Sequence, residues 1–288
     1  MSSLCTLLGY TRQAYYSQQQ YLQLHNYKDD LLIQQVHKHR QLQPRLGTRK
    51  LLVLLQEFID RHQFKIGRDA LFDLLRDHGL LVRKRKRKAR TTFSNHSYRK
   101  YPNLIRKHQP VGPNLLWVSD ITYIELRVDF AYLSLVTDAY SRKIVGYSLN
   151  ETLCADGSIR ALEMAYSTAK DLTSLIHHSD RGIQYCCYAY VDLLEKNGVK
   201  ISMTENGDPL ENAIAERVNG ILKDELLQEQ YSDFASAVRS IDSAIQIYNS
   251  LRPHSSCQML TPNQAHQKAE RLKRTWKNYY KKKEVDMS

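Results

Sequence analysis

The part of the chain that most narrows the fold begins after "VGPN" (111–114), where three strand-like runs follow one another with little between them. "LLWVSDITYIEL" and "FAYLSLVTDAYS" are separated only by "RVD" (127–129), which is hairpin length, and "KIVGYSLN" follows as a third strand. The period then changes. "DGSIRALEMAYSTAK" places Leu162, Ala165, Tyr166 and Ala169 on one helical face, and "LTSLIHHSD" returns to strand. A second helix carries Tyr190, Leu193 and Leu194, stops at Gly198, and leads into "VKISMT", a fifth strand. The order is β-β-β-α-β-α-β. Three strands with short links form an antiparallel meander, and a right-handed crossover must then lay the fourth strand parallel to one already in the sheet. The vacant neighbour is the first strand, so the fold class is α/β with a mixed five-stranded sheet.

That topology sets Asp120, in the first strand, beside Asp180, at the carboxyl end of the fourth, where open α/β sheets place their ligands. Two adjacent carboxylates repel each other unless a cation lies between them. Mg²⁺ or Mn²⁺ is the cation expected of oxygen ligands that also meet phosphate. A third carboxylate comes from "LENAIAERVNGILKDELL". Ile214, Val218, Ile221 and Leu222 form its apolar stripe, and Asn212, Glu216, Asn219, Gly220 and Lys223 fall opposite, on a face expected to bury nothing. Glu205 lies in a turn where it is expected to face solvent. Glu211 lies in the first helical turn, where the helix dipole favours a carboxylate without any metal.

Upstream, the pattern is helical. Thr11 is the expected N-cap of a short helix. Leu51/Leu54/Leu55/Phe58 and Leu71/Leu74/Leu75 mark two amphipathic helices, the second ending at Gly79. Residues 1–82 therefore form a small all-helical domain with helix-turn-helix-like units that bind DNA.

Charge separates this domain from the sheet. The chain has 42 Lys+Arg against 30 Asp+Glu, which favours a polyanionic partner, nucleic acid foremost. No acidic residue occurs between Asp77 and Asp120, and Arg83, Lys84, Arg85, Lys86, Arg87, Lys88 and Arg90 make the stretch 83–112 a basic linker or arm suited to DNA phosphates. Residues 113–267 carry the sheet and the three carboxylates, and 268–288 are a basic tail with interspersed aromatic residues. The five cysteines lack CxxC spacing, so neither zinc nor disulfides are expected. Nothing in the sequence suggests a leader or a membrane span, and the expected location is cytoplasmic, with the nucleoid.

"WVSDITYI", "HHSDRGIQY" and "ENAIAERVNGILKDEL", followed by "YNSLRPHSS" and "TPNQA", resemble the catalytic core of DDE transposases and retroviral-type integrases, more narrowly the second-reading-frame transposase of the insertion sequence 3 family. The 35 residues between Asp180 and Glu216 match that family's interval. The resemblance implies a ribonuclease H-like fold and a metal-binding, catalytic triad of Asp120, Asp180 and Glu216. It also implies two Mg²⁺ or Mn²⁺ ions, DNA cleavage at element ends and strand transfer, with element-end and target DNA as partners. A homo-oligomer on DNA and an upstream-frame partner or fusion come with it. His178 points to the same side of its strand as Asp180 and is a candidate for the scissile phosphate or a water, or equally a histidine that packs behind the site. Gly182 allows a sharp turn and room for DNA, Asn212 holds Glu216 or touches DNA, and Lys223 binds DNA. Asp138 ends an apolar strand before "AYSR" and is read as a turn cap. A purely hydrolytic ribonuclease H-like nuclease and a non-catalytic DNA-binding regulator stay open. The exonuclease pattern needs Asp-x-Glu, and position 122 is Thr. A ribonuclease H needs a further carboxylate, for which Glu163 is the candidate.

Overall fold

The computed structural model describes residues 11–83, 96–106, 110–169, 172–205 and 209–268, with Leu7, Gly9 and Leu272. Lys84 to Lys88, Arg90 and all but two residues of the basic tail lie outside the described residues. The chain divides into two compact units with the boundary after Arg83.

Among the described residues the first unit has the helices α1 (Arg12–Leu42), α2 (Thr48–Arg61) and α3 (Arg68–Asp77). Thr11 does cap α1, its hydroxyl accepting from the Ala14 amide, but the helix is not short: it runs 31 residues. The reason is visible in composition, since neither Gly nor Pro interrupts the chain between Arg12 and Gln43. Leu32, Val36, Leu46, Leu51, Leu55, Ile59, Leu71, Leu74 and Leu75 make the core of this unit.

The second unit is built on a five-stranded sheet: β1 (Leu116–Glu125), β2 (Phe130–Asp138), β3 (Ile144–Asn150), β4 (Ile176–Ser179) and β5 (Lys200–Met203), in the order β3-β2-β1-β4-β5. β1, β2 and β3 pair antiparallel, while β4 runs parallel to both β1 and β5. This is the ribonuclease H-like arrangement. Along β1, Trp117 and Ile121 join the cluster that packs beneath α4 (Ala155–Thr168) and α6 (Tyr188–Lys196); a short helix, α5 (Ile183–Cys186), precedes α6. Even-numbered β1 residues face the other way. Leu116 and Val118 pack with Ala215 of α7 (Ala213–Ile221), and Ile124 joins the cluster of α7 and α8 (Phe234–Ser250). The alternation of a two-sided strand thus assigns Asp120 and Thr122 to the α7 side. A last short helix, α9 (Pro262–His266), closes the described chain. No described helix is long and apolar enough to cross a membrane.

α4 sits on the sheet at its tightest over β3. A Cβ built on Gly146 stands 2.0 Å from the Ala161 carbonyl oxygen and 3.0 Å from the Ala165 Cβ, so glycine is required for the close approach. Gly146→Ala is expected to lower the stability of the second unit by about 2 kcal/mol, the cost of overpacking a fixed contact. The urea midpoint of its unfolding transition measures this, and an unchanged midpoint contradicts the contact.

Candidate active site

β1 and β4 pair in register Leu116↔Ile176, Trp117↔His177 and Val118↔His178. Two residues beyond Val118 comes Asp120, and two beyond His178 comes Asp180, both half-buried. The structure therefore brings the two aspartates together as the topology requires. Burial pushes the Asp120 carboxyl up to about 7; the Asp180 charge adds to the shift and Glu216 adds less, against hydrogen bonds from Asn219 and the Ile121 amide. Asp180 is oriented by the turn that follows it, where the Gly182 amide donates to its Oδ1 at 3.0 Å.

α7 supplies the third element. Asn212, Glu216, Asn219 and Lys223 recur at helical spacing, and three of the four are tied to β1. Asn212 Nδ2 donates to the Ser119 carbonyl (3.0 Å), Asn219 Nδ2 to Asp120 Oδ2 (2.7 Å) and Lys223 Nζ to Thr122 Oγ1 (3.0 Å). This face was expected to bury nothing, yet Asn212, Asn219 and Gly220 are buried. The helix packs its polar stripe against β1, which satisfies those groups, and keeps Ala213, Glu216 and Arg217 exposed. The segment is also not one regular helix: a 3₁₀ turn (Pro209–Asn212) precedes α7 and a π-helical turn (Leu222–Leu226) follows it. Glu216 alone in the stripe is exposed, and it makes no hydrogen bond or ion pair to a described residue. Burial raises its carboxyl above the ordinary value. Among the described residues no three His, Cys, Asp or Glu side chains converge closely enough to grip an ion as they stand.

The accessory residues fall elsewhere than expected. His178 is fully buried, with Nδ1 2.8 Å from Ser202 Oγ, and burial pushes its imidazole down to about 4. It packs β4 on β5 and does not reach toward solvent or a phosphate. Asn212 holds strand backbone, not Glu216. Gly182 makes no left-handed turn (φ −62°), and its requirement is space: a Cβ there stands 3.0 Å from Asp180 Oδ1 and 3.1 Å from Gln184 Oε1. Glu205 does not face solvent freely, since Asn103 N donates to its Oε1 (2.9 Å) and Arg106 pairs with its Oε2 (2.9 Å). Asp138 caps its turn through Ser141 N, Ser141 Oγ and Asn114 N. Arg83 is exposed. Sequence reasoning missed Asn219 as the holder of Asp120, although its spacing from Glu216 and Lys223 was visible.

The raised Asp120 carboxyl makes a stability prediction. Folding raises its affinity for a proton, so the stability it contributes when protonated is full below its ordinary range near 4 and is lost as pH rises toward 7. With divalent ions chelated, Asp120→Asn should therefore gain stability over the parent chain across that window and hold the gain above it. The gain should be on the order of 2 kcal/mol, after allowance for partial exposure. Urea melts at pH 5 and pH 8 test it, and equal differences at the two pH values reject it.

Residues 110–209 match the Integrase core domain family, and residues 197–262 match a second Integrase core domain pattern. A Shigella sonnei protein, the uncharacterized 31 kDa protein of insertion element IS600, is 33% identical over 264 residues, spanning 90% of this chain and 96% of its own length. The putative transposase of IS986/IS6110 from Mycobacterium tuberculosis is 34% identical over 188 residues, 63% of this chain and 66% of that one. Transposase InsF of IS3A from Escherichia coli K12 is 31% identical over 193 residues, 66% of this chain and 67% of its own. Among solved structures, the HTLV-2 integrase catalytic core in complex with magnesium aligns at a TM-score of 0.43 and 20% identity, covering 55% of this chain and 99% of that one. With an integrase core pattern over its sheet and a relative matched almost end to end, the chain belongs to the insertion-sequence transposases, the family that includes the IS3 transposase InsF.

Proposed function

We propose that this chain cuts DNA at the ends of an insertion element and transfers the cut strand, with Asp120, Asp180 and Glu216 as metal-binding, catalytic residues. The observation that carries the reading is the carboxylate pair brought together on β1 and β4, with Asp120 pushed up to about 7, beside a helical stripe whose Asn212, Asn219 and Lys223 are tied to β1 while Glu216 stays exposed. All three donors are carboxylate oxygens, which suits Mg²⁺ or Mn²⁺. Two such ions, when bound, would activate the attacking water or 3′-hydroxyl and stabilise the leaving oxygen.

The protein's own groups do the rest. Asn219 fixes one oxygen of Asp120 and the Gly182 amide fixes one of Asp180, so both carboxylates are oriented before any ligand arrives. Glu216 sits on the same stripe one turn before Asn219 and has the side-chain freedom to close on the pair. Lys223, one turn beyond Asn219, adds a cation where a DNA phosphate would approach. The partners are the element ends and target DNA, engaged by a homo-oligomer, with an upstream-frame partner or fusion aiding end recognition. The helical unit before Arg83 and the Arg83–Arg90 arm bind DNA without regard to the triad.

Asp180→Asn and Glu216→Gln should each lower Mg²⁺-dependent strand transfer by more than the ~10- to 100-fold that loss of a ligand's supporting partner costs. DNA binding should stay near that of the parent. A gel assay of nicking and joining on the element's own ends checks both, and retained joining by either variant rejects its assignment. Neutralising the basic residues of 83–90 should weaken binding to all DNA sequences alike. The slope of log K against log[salt] should become shallower by about six if all seven contact phosphates, at ~0.9 per contact. An unchanged slope means the arm does not touch DNA.

A further inference from the structure

The segment 96–106 lies before the matched integrase region, which starts at residue 110, yet it is bonded to both sides of the site. Its first described residue, His96, sets Nε2 2.8 Å from the carbonyl of Arg181, the residue directly after Asp180; since a carbonyl only accepts, the ring donates. Further along, the Met203 amide donates to the Pro102 carbonyl (3.3 Å) and the Leu104 amide to Ser202 Oγ (2.9 Å), so the segment straps the outer edge of β5. It ends at a clasp. Arg106 pairs with Glu205 at 2.9 Å and lies 3.8 Å from Glu211, while Glu211 Oε2 accepts from the Glu205 amide at 2.6 Å. Glu205 follows β5, and Glu211 lies in the 3₁₀ turn that opens into α7. Arg181 reaches back from the Asp180 turn to donate to the Glu205 carbonyl at 3.0 Å.

The network therefore joins the turn after Asp180 to the start of the helix that carries Glu216, through side chains outside the triad. We infer that Arg106 is a positioning residue: by holding Glu205 and Glu211 together it sets where α7 begins, and so how Glu216 stands relative to Asp120 and Asp180. This rests on the proposed metal-binding triad. Glu216 is the one member of the triad that the sheet does not place, so its approach depends on how α7 is seated. The Glu205 amide already holds the Glu211 carboxylate, and the Arg106 guanidinium, 2.9 Å from Glu205 and 3.8 Å from Glu211, offsets the repulsion between the two carboxylates that this contact brings near each other. Arg106 is half exposed, so its role is distinct from core packing, and its side chain could otherwise serve only DNA.

Mn²⁺ binding to the full chain without DNA, followed by the electron paramagnetic resonance signal of free Mn²⁺, separates these roles. Arg106→Gln and Glu205→Gln should each weaken Mn²⁺ affinity about fivefold to tenfold, and the double variant should be no weaker than either alone, as expected for two residues acting through one contact. Arg106→Lys should stay near the parent. With DNA, joining by Arg106→Gln should slow at limiting Mg²⁺ and recover at saturating Mg²⁺, with DNA affinity unchanged. Unchanged Mn²⁺ affinity in Arg106→Gln, or additive losses in the double variant, overturns the inference. Reduced DNA affinity with unchanged Mn²⁺ affinity likewise overturns it and makes Arg106 a phosphate contact. Asp180→Asn is the control on the underlying reading: if it binds Mn²⁺ as the parent does, the triad assignment itself fails, whatever Arg106 does.

Discussion

Everything at the site depends on the parallel pairing of β1 with β4. Without it, Asp120 and Asp180 lie in separate stretches of chain; with it, two carboxylates share one side of the sheet and the Asp180 charge raises the cost of ionising Asp120. Parallel neighbours need a crossover, so the site also requires α4 on the far face and the close contact of α4 with Gly146 of β3 that seats it. A change in packing remote from the carboxylates thus bears on their alignment.

The strand order, the crossover and the meeting of Asp120 with Asp180 were legible in sequence because they follow from period-two runs, short links and the handedness of crossovers. Asp138 was legible as a turn cap for the same local reason. The α7 stripe was read only in half. Its spacing was plain, but amphipathic logic equates a polar face with a solvent face, and here the polar groups of Asn212, Asn219 and Lys223 are spent on β1. His178 was left between two readings by sequence: alternation places it on the same side as Asp180, and only the neighbouring β5 reveals that it is covered there, by Ser202. Glu205 and Arg106 were beyond sequence reasoning, because their contact spans a hundred residues and no local pattern announces it.

The residues around the carboxylates are chosen to orient charge without cancelling it. Asn219 holds Asp120 with a neutral amide, and Asp180 is held by a backbone amide. His177 and His178, adjacent on β4, are pushed down to about 3 and about 4 by burial, so both are neutral at physiological pH. His177 turns to the opposite face, where its Nε2 lies 2.8 Å from Ser119 Oγ and 2.9 Å from Tyr190 OH. Three cations are engaged beside the site: Lys223 on Thr122, Arg181 on the Glu205 carbonyl, Arg106 on Glu205.

That arrangement explains why the fold tolerates an acid pushed up to about 7. A lysine or arginine in place of Asn219 would relieve the repulsion and stabilise the sheet, but it would also lower the negative potential around the carboxylate pair. An amide supplies direction and leaves the charge uncompensated. Strain of this kind is stable only where the surroundings over-determine the geometry. Here three hydrogen bonds from one helix to one strand, and a strap that closes the helix's entry, supply that constraint. Asp120 is thus held by a neutral amide on a strand whose parallel neighbour brings up a second carboxylate, so its raised proton affinity follows from the pairing that makes the sheet.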